Sequence, residues 1–189
     1  MRITVFGLGT IGSNLLIQLV RQYPDFEYVG IDYDKVEERN LRIQAYFKEQ
    51  VNQPKTRAIQ TVAQRYVRKF KYTARNEKID HRITRPEDNE LFIDCFDNTE
   101  SRRYLTLPGK HDILHLGFSP AYTAEFVWNE SYTVPGAVDP NLPDICALHD
   151  AIPFVHFFIN AALLQISEFI ESGHRKNFLV TKKTKLTYL

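Results

Sequence analysis

Gly7-Leu8-Gly9-Thr10-Ile11-Gly12 follows the short apolar run of residues 3–6. It precedes a segment, residues 13–22, with apolar side chains at helical spacing: Leu15, Leu16, Leu19 and Val20. The pattern is G-x-G-x-x-G between a strand and a helix. Tyr28-Val29-Gly30-Ile31 then reads as a second strand leading into Asp32. Gly7, Gly9 and Gly12 let the backbone turn tightly and approach a phosphate, which the free N–H groups and dipole of the helix N-terminus attract. An acid about twenty residues past the last glycine stands where a ribose hydroxyl is held. The stretch indicates a nucleotide, and ATP and NAD fit it equally.

The 189 residues suffice for one α/β domain with a sizeable core, expected to span residues 1–189 as a unit. A net charge of +1 argues against nucleic acid or a membrane surface as partner, since both call for a basic excess. Cys95 and Cys146 are too few for a disulfide framework or a thiolate zinc site, so no zinc is expected. The apolar stretch of residues 151–166 is interrupted by His156, Asn160 and Gln165, which disfavours a membrane span. The first strand begins just after Met1, leaving no room for a leader, and a cytoplasmic location is the expectation.

Along the chain, a short helix is expected over 41–47 and another from Pro54 to about Lys69, followed by a strand at 70–74 and a charged loop over 75–89 with little core. Leu91-Phe92-Ile93-Asp94-Cys95-Phe96 reads as a buried parallel strand ending at Asp97. A helix over 99–107 and a strand over 113–117 come next. Residues 122–128 and 131–134 suggest an antiparallel hairpin, and the proline-containing 135–150 a loop. A long helix over 154–172, stopped by Gly173, and a strand-like tail over 178–188 close the chain. Strands alternating with helices predict a Rossmann-like, doubly wound, largely parallel sheet, with antiparallel strands in the C-terminal half.

Ligands of open α/β sheets bind outside the carboxyl ends of the strands, so Asp32 and Asp97 should face one crevice. Asp97 is a hard oxygen ligand suited to Mg²⁺ on a nucleotide's phosphates. Lys55 can reach phosphate as a mobile charge. Asn40 can donate through its amide, with Arg39 and Arg42 nearby.

The order of these residues resembles the ThiF, MoeB and ubiquitin-activating-enzyme family of adenylating enzymes. Four blocks carry the likeness: residues 7–13; Asp32-Tyr33-Asp34-Lys35-Val36 running to Asn40-Leu41-Arg42-Ile43-Gln44; Gln53-Pro54-Lys55; and Asp94-Cys95-Phe96-Asp97-Asn98 with Arg102. The resemblance implies an enzyme that binds Mg-ATP and adenylates a C-terminal carboxylate, usually of a small ubiquitin-like or sulfur-carrier-like protein, and that works as a homodimer. It implies Asp32 at the ribose, Asn40 and Lys55 at the phosphates and Asp97 at the magnesium, with Asp34 among the cofactor-binding residues. Cys146 resembles the place of a thioester-forming cysteine, with His149 close by; a small loop or core cysteine is the plainer reading.

The sequence departs from the family pattern at three places. Ile43 stands where the family has arginine, with Arg42 one position early. Thr10 replaces a common glycine, and paired C-x-x-C motifs are absent. Arg42 or Arg39 is the expected substitute cation. Two rivals follow: a catalytically weakened nucleotide-binding subunit or scaffold, and an NAD-dependent oxidoreductase, which nothing after residue 34 supports.

Overall fold

The computed structural model describes residues 1–108, 111–119, 121–136 and 151–181. Seven strands form one sheet in the order β3-β2-β1-β4-β5-β6-β7. They are β1 (Arg2–Phe6), β2 (Glu27–Ile31), β3 (Lys71–Arg75), β4 (Glu90–Asp94), β5 (Ile113–Ser119), β6 (Thr123–Trp128) and β7 (Phe178–Thr181). β1 to β5 pair in parallel; β6 and β7 are antiparallel to their neighbours. This is the largely parallel Rossmann-like sheet that the alternation of elements predicts.

Strand side chains alternate between faces, so β1 sends Ile3 and Val5 one way and Thr4 and Phe6 the other. The first set joins the main core, with Leu15, Leu16 and Leu19 of α1 (Thr10–Gln22), Ala58, Ile59 and Val62 of α2 (Lys55–Gln64), and Val155, Phe158 and Ile159 of α4 (Ala151–Ser172). The second set is a smaller cluster of Phe6, Ile31, Phe92 and Phe96 with Leu105 of α3 (Thr99–Leu105). Ile79 and Ile83 pack into this cluster, so the charged 75–89 loop supplies more core than expected. Over β1–β3 the same face keeps a groove of about 650 Å³ whose polar lining pairs with itself, Glu27 with Arg2 and Lys71, and Thr4 with Glu90.

The helix expected over 41–47 does not form. Two 3₁₀ turns, Glu38–Asn40 and Lys48–Gln50, flank an irregular segment. Side chains of α1 take its backbone groups: Asn14 Nδ2 donates to the Ile43 carbonyl at 2.8 Å, and Ser13 Oγ accepts from Ala45 N at 3.1 Å. Those bonds replace the ones a helix would make. α2 ends at Gln64 instead of Lys69, its last turn closing through Arg65, Tyr66 and Val67 N–H groups onto Val62 and Ala63. α4 starts three residues earlier than expected, with Pro153 in its first turn, where a missing N–H costs nothing.

The hairpin also differs. β6 pairs with β5, Gly117 opposite Glu125, and on its other side with β7. Residues 131–134 are not a strand; Tyr132 folds inward instead. By length and apolarity alone α4 could cross a membrane, but it lays fully buried Val155, Phe158, Ala162 and Ile166 on the main core.

Candidate functional site

The glycine turn is built by three different constraints. Gly7 has φ +79°, a left-handed conformation, and a Cβ there would sit 3.0 Å from the Cys95 carbonyl group. A Cβ on Gly12 would lie 1.9 Å from the Gly7 carbonyl oxygen, so only glycine lets α1 start this close to β1. Gly9, the N-cap of α1, has open space where its Cβ would be. Gly7 and Gly12 therefore serve packing, while Gly9 leaves room for something else. The first-turn N–H groups of α1 have no acceptor within the helix.

Asp32 is buried just past β2 and pins the turn. Its Oδ2 accepts Leu8 N–H at 2.7 Å and its Oδ1 accepts Asp34 N–H at 2.7 Å. Burial raises its carboxyl above the ordinary range, against the opposing pull of Lys55 and of those two N–H bonds. Lys55 opens α2, its N–H bonded to the Asp34 carbonyl at 2.9 Å. Its amine, 9% exposed, donates at 3.0 Å to Asp34 Oδ2, which is half exposed. A short antiparallel bridge between Lys35 and Pro54 holds these two segments together. Tyr46, a residue the sequence reading passed over, closes the floor by donating its hydroxyl to the Leu8 carbonyl at 2.7 Å.

Tyr33 projects 45% exposed beside this group. The charge of Asp34 most, then burial and the charges of Asp97 and Asp32, raise its phenol above the ordinary range. The structure brings Asp32, Asp34 and Lys55 together just past β2 and at the start of α2, with Asp97 near enough to act on Tyr33 through its charge. Asn40 is buried close by in sequence, its Oδ1 accepting Glu37 N–H at 2.9 Å, which makes it a capping residue of the irregular segment. Arg42 is exposed, and Ile43 is buried in the main core. Cys146 and His149 lie outside the described residues.

Asp97 is not at the end of β4, which stops at Asp94, but three residues on, in an exposed loop before α3. Asn98 caps α3 by accepting Ser101 N–H at 2.8 Å. Arg102, which the sequence places in the same motif as Asp97, is buried beneath it. Burial disfavours its charge, yet Asp94 and Tyr132 more than offset this and its pKa is raised. The Cys95 thiol is partly buried against the main core and pushed up by desolvation, which fits packing and not nucleophilic chemistry.

Among the described residues no group of three His, Cys, Asp or Glu side chains could hold a metal. A single accessible carboxylate still fits magnesium, which is commonly held by one or two carboxylates together with a substrate's phosphates. Asp97, exposed, is an accessible carboxylate of that kind.

A glycine turn at a helix N-terminus, an acid ending β2 and a lysine at the strands' carboxyl ends define a nucleotide-binding α/β protein. The ThiF family model matches residues 1–113, and the chain belongs to the ThiF family. Its fold is that of E. coli MccB solved with ATP (14% identity, TM-score 0.67, covering 95% of this chain and 63% of that one). The microcin C7 biosynthetic enzyme MccB in complex with N-formylated MccA is similarly related (14%, TM-score 0.66, 95% and 64%). So is PaaA (16%, TM-score 0.65, 96% and 61%). The chain spans under two thirds of the length of these relatives. No curated protein sequence matches it.

Proposed function

We propose that the chain binds Mg-ATP at the Gly7–Gly12 turn and adenylates the C-terminal carboxylate of a small protein or peptide, releasing pyrophosphate. The observation that carries this reading is the buried Lys55 amine held at the crevice by a half-exposed Asp34. A lysine so placed is oriented but not committed, because its partner can turn to water when a phosphate takes the amine. Asp32 holds the ribose side, Gly9 admits the phosphates to the N-terminus of α1, and Asp97 carries the cation. Bound magnesium would neutralise the phosphates and polarise the one under attack.

The chemistry requires an acceptor carboxylate to approach an anionic triphosphate, so cations must offset their repulsion in a site that excludes water. Lys55 supplies one. Arg42, exposed next to buried Ile43, is the second. The MccB structures with ATP and with N-formylated MccA support ATP and a small chain as the substrates. A small ubiquitin-like or sulfur-carrier-like protein is the proposed acceptor, and a second copy of the chain is proposed to pack on the outward Phe157 and Leu164 of α4.

Calorimetry with ATP, AMP and NAD tests the nucleotide. Tight NAD binding without ATP binding refutes the reading. Burial of Ile43 at the family's arginine position favours one second reading, a nucleotide-binding partner subunit that does not turn over. ATP binding without ATP–pyrophosphate exchange, across a panel of acceptors with free C-termini, would select it.

A further inference from the structure

The loop that carries Asp97 is fixed on both sides of that residue. Ahead of it, Phe96 donates its N–H to Asp94 Oδ1 at 3.0 Å, and its carbonyl accepts Arg102 Nε at 2.7 Å. Behind it, Asn98 caps α3 and its carbonyl accepts the Arg102 N–H at 3.3 Å. Asp97, between the two, is exposed. The loop also rests on the glycine turn, because a side chain on Gly7 would meet Cys95 and the Phe96 ring.

The groups that grip Phe96 belong to a buried polar cluster. Asp94 Oδ2 lies 2.8 Å from His115 Nδ1 and 3.6 Å from Arg102 Nη1. Arg102 also donates to the Tyr132 hydroxyl at 2.8 Å and to the Leu116 carbonyl at 2.6 Å. The Tyr132 ring stacks on His115 with centroids 3.8 Å apart. Asn129 donates to the Leu107 carbonyl at 2.6 Å and turns its Oδ1 toward His115 Nε2 at 3.4 Å. Glu125, lying over Gly117, adds a further negative charge near Arg102.

Stability alone does not call for such a cluster. Desolvating each ion costs several kcal/mol, and well-packed apolar side chains of the same volume commonly do as well or better. What an ionic cluster adds is a single geometry, because each partner accepts only certain directions. Here the directions converge on the backbone of Phe96, the residue before Asp97.

We propose that Asp94, Arg102 and His115 are positioning residues for Asp97, clamping the 95–98 loop so that its carboxylate is presented to a divalent cation on the nucleotide's phosphates. The proposal rests on the Mg-ATP reading above and names what makes that site metal-dependent. Asp97 touches the cation; the cluster acts through it.

The test is the ratio of ATP affinity in Mg²⁺ to that in EDTA, by calorimetry, with thermal unfolding recorded for each variant. Asp97→Asn sets the value expected when the carboxylate is lost. Arg102→Lys keeps the charge but cannot span Phe96, Leu116 and Tyr132 together, and His115→Phe keeps a ring against Tyr132 but removes the partner of Asp94 Oδ2. Both are expected to lower the Mg²⁺/EDTA ratio at least fivefold toward the Asp97→Asn value, with affinity in EDTA within about twofold of wild type. A purely structural cluster would lower the melting temperature and leave the ratio unchanged, and that result overturns the proposal. If either variant fails to fold, Tyr132→Phe, which removes one hydroxyl from Arg102, is read instead. A ratio lowered about threefold supports the clamp and an unchanged one overturns it. Wild type that binds ATP equally with and without Mg²⁺ overturns the clamp but leaves the nucleotide reading standing. Wild type that binds no ATP overturns both.

Discussion

Gly9→Ala and Gly12→Ala are expected to fail in opposite ways. At Gly12 the new methyl would sit 1.9 Å from the Gly7 carbonyl oxygen, against 3.4 Å for ordinary contact, so α1 must retreat by the difference, about 1.5 Å. That retreat pulls on Ser13, whose hydroxyl donates to the Gly9 carbonyl at 2.6 Å and accepts Ala45 N–H at 3.1 Å. Overpacking against rigid backbone costs at the upper end of its usual range, about 3 kcal/mol, and alanine's helix propensity returns about 1. The net loss is about 2 kcal/mol, or roughly 4–8 °C in melting temperature for a chain of this size. At Gly9 the methyl meets no protein atom within 4 Å, so stability should fall by no more than about 1 kcal/mol, the usual disadvantage of alanine against glycine at an N-cap. The same methyl fills the space proposed for phosphate, and ATP affinity should fall more than tenfold, about 1.4 kcal/mol. Urea unfolding and calorimetry with Mg-ATP read both quantities. Wild-type stability in Gly12→Ala would refute the packing argument, and wild-type ATP affinity in Gly9→Ala would refute the placement of the phosphates.

Three further outcomes follow from the same geometry. Lys55→Ala should weaken ATP binding more than tenfold while changing stability by less than about 1 kcal/mol, because the Asp34 it abandons can be solvated; a cooperative unfolding curve shifted by several kcal/mol would assign the pair to the fold instead. Arg42→Ala should lower ATP–pyrophosphate exchange more than tenfold, about 1.4 kcal/mol of transition-state stabilisation, with stability unchanged at this exposed position; equal exchange rates rule the role out. Asp32 holds its proton to higher pH when folded than unfolded, so its contribution is present below the ordinary aspartate pKa of about 3.9 and is lost as pH rises through the raised folded value. The stability of wild type relative to Asp32→Asn should therefore decline across that window in pH-dependent urea unfolding, and a difference that grows with pH would contradict the sign.

What could be read from the sequence is what neighbouring residues decide. β1, the glycine turn, α1 and β2 follow from period-2 and period-3.6 patterns within 34 residues, and the strand at Lys71–Arg75 from the same reasoning. Asp32, Asp34, Lys55 and Asp97 could be named as candidates because they follow predicted strands or open a predicted helix, where a doubly wound sheet puts its ligands; that Asp34 and Asp97 each stand three residues beyond their strands was not legible. The irregular segment after Asn40 was not legible, because Ser13 and Asn14, about thirty residues upstream, take its backbone groups. The partner of β6 was not legible either: β7 lies some fifty residues on, and no local pattern records that pairing.

The buried cluster is the extreme case of the same limit. Asp94, Arg102, His115, Asn129 and Tyr132 come from β4, α3, β5 and the turn after β6, and each alone reads as an ordinary polar residue. Only Gly117 leaves a trace, since a side chain there would strike Glu125 from the paired strand. Yet the cluster settles a question the motif could not. Asp94-Cys95-Phe96-Asp97-Asn98 with Arg102 looks, as sequence, like two acids and an arginine available for one site. In the fold they divide: Asp97 is exposed, while Asp94 and Arg102 are spent on each other and on the backbone of Phe96. Arg102 therefore cannot be the cation that replaces the family's missing arginine, which leaves Arg42, exposed next to buried Ile43, and Arg39, exposed and paired with Glu37.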